Sequence, residues 1–328
     1  MKTAEQCHHV FVAHGDHPIP PSGWGAVELI IWQTVLELKK RGISVEIVNH
    51  RYPKSILHVL KLSFQGRADI VYTHAEKPVR ILSWLARWRG FFLVATTHNP
   101  LNPANFVASE EKALRRCRHA KYHFIGRPDI EPLILARNPL ALCALQKNPT
   151  EVTDFKTNAV GNGKAICLGR IQERKRQNDT ARLLEGSGIQ CDFVGPLMEE
   201  VTISHALQSQ MVGPWDRETL HERLCEYSCL ILLSRSERQP LVVIEALAAG
   251  IPVVLSPESA GNIDHSKPYI FVVESDDQVI DAVRSAISIR DRYTEEIRKY
   301  AVETFDYDVL VENYLDQVNR WLIPEAVH

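Results

Sequence analysis

Two glutamates, Glu237 and Glu245, stand eight positions apart in "LLSRSERQPLVVIEALAAGIPVV", where an apolar run, two acids and a helix-forming stretch meet. Residues 229–234 have the length and branching of a buried strand, and residues 240–250 read as a helix with Pro at its start and Gly at its end. Glu237 therefore falls in the strand-to-helix loop and Glu245 about one turn inside the helix. Both carboxylates can then face a ligand above the carboxyl edge of a parallel sheet, where open α/β folds place their sites. Taken alone, the pair has a plainer reading, with Glu237 offsetting the helix dipole and Glu245 solvated. A second group lies earlier in the chain. In "KAICLGRIQERKRQND" a strand runs into Gly169 and Arg170, and Lys175 follows five residues after the arginine. Two fixed cations there can stabilise charge growing on a departing phosphate without a metal, although a charged, solvated turn has the same composition.

The segment "SERQPLVVIEALAAGIPVVLS" resembles the E-x7-E segment of the retaining, GT-B-fold glycosyltransferases of family 4, the glycosyl transferases group 1. Arg238 and Gln239 stand where that family commonly has Gly-Phe, a departure that bears on donor recognition. "GRIQERK" is similar to the donor-phosphate motif of the same family, and "PPSGWGAVE" to the glycine turn that opens its first helix. There Gly23 and Gly25 let the backbone approach a diphosphate at a helix amino terminus. The third glycine of a nicotinamide-binding G-x-G-x-x-G is missing, and position 28 is Glu. His98, in "THNP" after an apolar run, matches a histidine that contacts the donor sugar in many relatives; a loop histidine is otherwise polar surface.

The resemblance implies an α/β fold of GT-B architecture, two Rossmann-like doubly wound domains facing a central cleft. It implies a retaining transfer of sugar from a nucleotide-diphosphate donor, of UDP or GDP type, to a glycan, glycolipid or other hydroxyl acceptor, with no metal and no further cofactor. Arg170 and Lys175 would neutralise the departing diphosphate, Gly23 and Gly25 would open backbone contacts to it, and Glu245 would bind the ribose. Glu237 and His98 would hold the sugar, and Leu241 and Val242 would lie at the donor as the helix begins. Two other outcomes share this fold: a nucleotide-sugar epimerase, for which no proton-transfer acids are evident, and a catalytically silent subunit that stabilises a partner.

These groups need two α/β frameworks to hold them. The first 50 residues read strand, loop, helix, strand, which is a βαβ opening. The polar, turn-rich stretch 146–163 separates the halves, giving an amino-terminal acceptor-side domain over 1–155, joined by a closing helix at about 306–328, and a donor-binding domain over 160–305. In the second half "KAICLG", a helix near 176–186, "CDFVG", "CLILLS", "PVVLS" and "YIFVV" alternate. Asp306 and Asp308 spell D-x-D, but in "FDYDVLVENYLDQVNRWL" one of them reads as a helix cap. His8, His9, His14 and His17 lack a metal-ligand frame.

The chain of 328 residues, 45% hydrophobic, is long enough for two cores. No apolar run reaches membrane-spanning length and the start carries no apolar signal core, so a cytoplasmic protein is expected. Seven cysteines without a C-x2-C suit a reducing compartment. Net charge of −2 conceals an imbalance: residues 1–155 hold 20 Lys and Arg against 13 Asp and Glu, and the remainder 18 against 27. A basic amino-terminal half fits an anionic acceptor or the inner face of a membrane. Nucleic acid fits poorly, since no long basic stripe forms. The segment 80–92, "RILSWLARWRGFF", combines tryptophans with arginines. Either it docks peripherally on lipid headgroups, or the tryptophans face the core while the arginines snorkel into water.

Overall fold

The structure, a computed structural model, describes residues 2–21, 25–96, 108–197 and 201–323. The chain divides into two compact units, residues 1–148 with 307–328, and residues 149–306. The sequence boundary at 155 is thus corrected to 148. Val152 and Phe155 are buried, and Phe155 meets the ring of His221 edge-on, so this stretch packs with the second unit.

In the first unit β1 (His9–Val12), α1 (Ala26–Lys40), β2 (Val45–Val48), α2 (Lys54–Phe64), β3 (Ile70–Thr73), α3 (Val79–Arg89), β4 (Phe92–Thr96), α4 (Ala108–Cys117), β5 (Tyr122–Ile125), α5 (Glu131–Leu135) and β6 (Leu142–Leu145) alternate. The six strands form one parallel sheet in the order β2-β1-β3-β4-β5-β6. Strand side chains alternate between faces, and this alternation divides the core. Phe11, Tyr72, Val94 and Phe124 meet α1 on one side. Val10, Val12, Val71 and Leu93 meet α2 and α3 on the other. Because both faces are covered, the strands read as near-continuous apolar runs.

The second unit repeats the plan with β7 (Ala165–Leu168), α6 (Gln177–Leu184), β8 (Cys191–Val194), α7 (His205–Gln208), β9 (Met211–Gly213), α8 (Arg217–Arg223), β10 (Cys229–Leu232), α9 (Leu241–Ala248), β11 (Val253–Leu255), β12 (Ile270–Val272) and α10 (Val279–Phe305). Its parallel sheet runs β12-β11-β10-β7-β8-β9. Helix α9 is buried from Val242 to Ala248, which explains why it is apolar on all sides but for Glu245, and α10 packs against it. The last helix, α11 (Tyr307–Leu322), lies beside α1 of the first unit and contributes Val311, Tyr314 and Val318 to its core. Asp308, in its first turn, pairs with Arg41 at 3.1 Å. His9 is buried, with its two ring nitrogens on the Tyr314 hydroxyl and the Ala4 carbonyl, each at 2.8 Å.

The core reading of Trp84 and Trp88 is overturned. They are 63% and 56% exposed, because the buried stripe of α3 is the aliphatic Val79, Leu82 and Leu85 and the tryptophans fall on the opposite side.

Candidate functional site

In the second sheet β7 lies between β10 and β8, so the strand order reverses at the β7–β10 pair. Chain leaving β7 and chain leaving β10 emerge side by side at the carboxyl edge, in the parallel register Cys229↔Ala165 and Leu230↔Ile166. A crevice at such a reversal is the usual ligand position in an open α/β sheet. The two segments singled out by sequence, 169–175 and 234–245, are those that emerge there.

Gly169 follows β7 with φ +128°, and a Cβ built on it would lie 3.1 Å from Lys175 Nζ. Gly195, leaving β8 with φ +152°, comes closer still, since a Cβ there would fall 2.0 Å from the Gly169 carbonyl oxygen. Glycine at both positions lets the two strand exits touch. The chain then makes one 3-10 turn, Glu173–Lys175, and turns through Arg176 at φ +57° into α6. Buried Gln177 fixes this path: its amide donates to the Arg170 carbonyl at 2.9 Å and its oxygen accepts from the Gln172 N–H at 3.3 Å. Lys175 thereby comes back over the glycine, only 11% exposed, and meets Glu237 Oε1 at 3.3 Å.

Glu237, 12% exposed at its side chain, receives on that oxygen Lys175, Arg174 Nη1 at 3.0 Å and the Ser234 hydroxyl at 3.1 Å. Arg174 also donates to the Ser236 carbonyl, and its own carbonyl accepts from the Arg235 N–H at 2.9 Å. The cationic turn and the acidic loop are therefore clasped from both sides. Arg170 is half-buried at the start of the turn.

Glu245 lies one turn inside α9 and is 4% exposed, so the solvated reading does not hold. Its carboxylate meets Arg217 Nη1 of α8, while Nη2 of the same guanidinium reaches Glu151 Oε2 at 3.0 Å. Burial pushes the Glu151 carboxyl above its usual range, against the pull of Arg217. Leu241 and Val242 form the first turn of α9, whose N-cap, Pro240, offers no side-chain acceptor to the first N–H groups. Arg238 and Gln239 are buried, at 9% and 5% exposure.

In the first unit Gly25 is the N-cap of α1, and a Cβ there would come within 3.0 Å of the buried Glu28 carboxylate. Its strand, β1, lies at that sheet's own reversal, between β2 and β3. Gly23 and His98 lie outside the described residues. Of the other expected residues, Lys175 and Glu237 are brought into contact, and Glu245 sits on the neighbouring helix with a cation of its own. Arg174, Gln177, Arg217 and Glu151 were not anticipated. Arg174 had a signal in its place beside Lys175, whereas Arg217 and Glu151 carry none in local spacing.

Residues 150–304 match the family glycosyl transferases group 1. No curated protein matches the chain. Among solved structures it is similar to Alr3699/HepE of Anabaena in complex with UDP, at 15% identity and TM-score 0.70, over 94% of this chain and 99% of that one. Sucrose-phosphate synthase from Thermosynechococcus elongatus is similar at 15% identity and TM-score 0.72, over 96% and 99%. AviGT4, a glycosyltransferase involved in avilamycin A biosynthesis, is similar at 16% identity and TM-score 0.69, over 96% and 98%. Two parallel doubly wound sheets and the likeness to these structures give the chain the GT-B fold, and its residues 150–304, which hold the cation–carboxylate pair at the second sheet's reversal, match the family glycosyl transferases group 1.

Proposed function

We propose that the chain transfers a sugar from a nucleotide-diphosphate donor to a hydroxyl of a glycan, glycolipid or other acceptor, with retention at the anomeric carbon and without a metal. The observation that carries this is the meeting of Lys175 and Glu237 at the strand-order reversal. One group supplies positive charge for a diphosphate, and the other accepts hydrogen bonds from sugar hydroxyls. Arg170 and Lys175 neutralise the leaving diphosphate, helped by the first N–H groups of α9 at Leu241 and Val242. Glu245 binds the ribose, Glu237 and His98 hold the sugar, and Gly23 and Gly25 bring backbone close to the phosphates. The sugar–phosphate C–O bond breaks as the acceptor oxygen forms its bond on the same face, and the acceptor proton passes to the leaving phosphate oxygen. Similarity to structures holding UDP and UDP-glucose supports a uridine donor over a guanosine one. The chain works in the cytoplasm, with peripheral contact to the inner membrane face through residues 80–92.

Melting of the purified protein with UDP, GDP, ADP, CMP or dTDP, with and without EDTA, tests the donor reading. A rise with one nucleotide that survives EDTA is expected, and no rise with any of them sinks it. Lys175→Ala should lower the transfer rate about a hundredfold, roughly 3 kcal/mol, as loss of a group facing a developing anion does. An unchanged rate removes Lys175 from the phosphate.

A further inference from the structure

Helices α2 and α3 lie side by side on one face of the first sheet. Each buries an aliphatic stripe, Ile56, Val59 and Leu62 from α2 and Val79, Leu82 and Leu85 from α3. The opposite faces carry the unexpected chemistry. On α2 the outward positions are Lys54, Leu57, Lys61 and Phe64, at a spacing of three, four and three, which is one continuous helical face. On α3 they are Arg80, Ile81, Trp84, Arg87 and Trp88. Leu57 is 65% exposed and Phe64 59%, comparable with the two tryptophans. The rings form one ridge across both helices: Trp84 stacks on Trp88 at 5.9 Å, and Trp88 meets Phe64 edge-on at 5.8 Å. Arg89 ties the helix ends together, its guanidinium 4.1 Å from the Phe64 ring and donating to the Ser63 carbonyl at 3.2 Å.

The charge is as one-sided as the apolarity. Neither helix contains an aspartate or glutamate. Nearby Glu46 is engaged by Arg67 and His58, and among the described residues none of Lys54, Lys61, Arg80, Arg87 and Arg89 is in an ion pair. The positive field extends past α4, where burial, with Arg118, Arg80 and Arg87 behind it, holds the His119 imidazole below its usual range.

We propose that the joint outer face of α2 and α3 docks the chain on an anionic lipid surface, the aromatic ridge entering the interfacial layer while the surrounding cations meet phosphate headgroups. Charge complementarity selects this occupant. An acid-free basic face matches a uniformly negative plane, whereas a second copy of the same face would set cation against cation. The proposal rests on the peripheral contact of residues 80–92, extends it to α2, and is independent of the transfer reaction.

Sedimentation of the full chain tests it, with vesicles of phosphatidylcholine alone and of phosphatidylcholine with phosphatidylglycerol at about three to one. Binding to the anionic vesicles only is expected, with release at about 1 M salt, where screening is short-ranged. Trp84→Ser with Trp88→Ser should abolish it, and Arg87→Glu or Lys61→Glu should each weaken it about thirtyfold, since each reverses one surface charge. All five substituted side chains, Phe64 included, are outward, so unchanged melting is expected of every variant. Binding that survives Lys61→Glu and Phe64→Ser but not the tryptophan changes would overturn the two-helix face and leave the contact of residues 80–92 standing. No binding of the unsubstituted chain to anionic vesicles overturns both. A dimer in gel filtration that Trp84→Ser dissociates would assign the face to a second copy instead. Transfer to a soluble acceptor should be unaffected throughout, which separates this outcome from failure of the donor site.

Discussion

Lys175 and Glu237 were legible because each is delivered by a short loop leaving a buried strand, and such loops leave little freedom in where the side chain lands. Arg174 was not legible. In "ERKR" the charges look interchangeable, and only the closure of the 173–175 turn onto the 234–237 loop gives Arg174 two partners, the Ser236 carbonyl and Glu237. Under the proposed function its place is that of a positioning residue, holding the Glu237 carboxylate that would meet the sugar. Arg174→Ala should therefore lower turnover about tenfold by loosening that geometry, while the melting shift given by free nucleotide persists. Lys175→Ala should lower both. Arg174→Lys, which keeps the charge but not the fork, should recover only part of the rate. Equal turnover of Arg174→Ala and the unsubstituted enzyme would remove the positioning argument. Arg217 was hidden for a different reason, because its pairing with Glu245 and Glu151 joins three segments remote in sequence.

At the scale of elements, the apolar runs of β1, β4, β7, β8, β10 and β11 stand out because sheets covered on both faces demand them. Strand β6 does not, being an edge strand with Leu142 and Leu145 45% and 46% exposed. The long helix α10 also escaped the sequence reading. Its buried positions, Val279, Val283, Ala286, Arg290, Thr294, Ile297, Ala301 and Phe305, recur every three or four residues as a helix requires, but two of them are polar and break the apolar pattern. Arg290 explains the break. It is 1% exposed and donates to the carbonyls of Tyr227 at 3.2 Å, Cys225 at 3.0 Å and Asn158 at 3.0 Å, and to the Thr294 hydroxyl. One side chain thus ties α10 to the entry of β10 and to the segment before β7. Desolvating a cation opposes folding, yet removing it strands three carbonyls on two separate segments. The second effect should prevail, so Arg290→Met is expected to destabilise the second unit by about 3 kcal/mol, read as a lower urea midpoint. A midpoint equal to or above that of the unsubstituted chain would show that desolvation dominates.

For the molecule as a whole, the charge imbalance between the halves was countable from the sequence, but the protons its histidines refuse were not, since burial of a histidine is a property of the finished core. His123, on β5, is 1% exposed, and burial brings its imidazole down to about 4 despite a ring nitrogen 3.0 Å from the Ala120 carbonyl. His221, half-buried near Arg217 in the second unit, is lowered to about 4 by burial and by that arginine. The unfolded chain takes up these protons near pH 6.5, the native chain only near pH 4. Between those values the unfolded state binds more protons, so stability rises with pH through the window and is lost as pH falls through it. For His123 the loss across the whole window is about 3 kcal/mol; His221 adds to it by an amount that solvent reduces. Carboxylates held low by hydrogen bonds, such as Asp69 and Asp264, act at lower pH. Glu151, held high, has the opposite sign, favouring the native state as pH falls toward its unfolded value. Urea unfolding at pH 7 and pH 4.5 separates these effects. The unsubstituted chain should lose stability between the two, and His123→Gln, which presents an uncharged donor at the same place, should lose about 2 kcal/mol less. Parallel losses in the two proteins would mean that His123 is protonated in the native core and that acid sensitivity arises elsewhere.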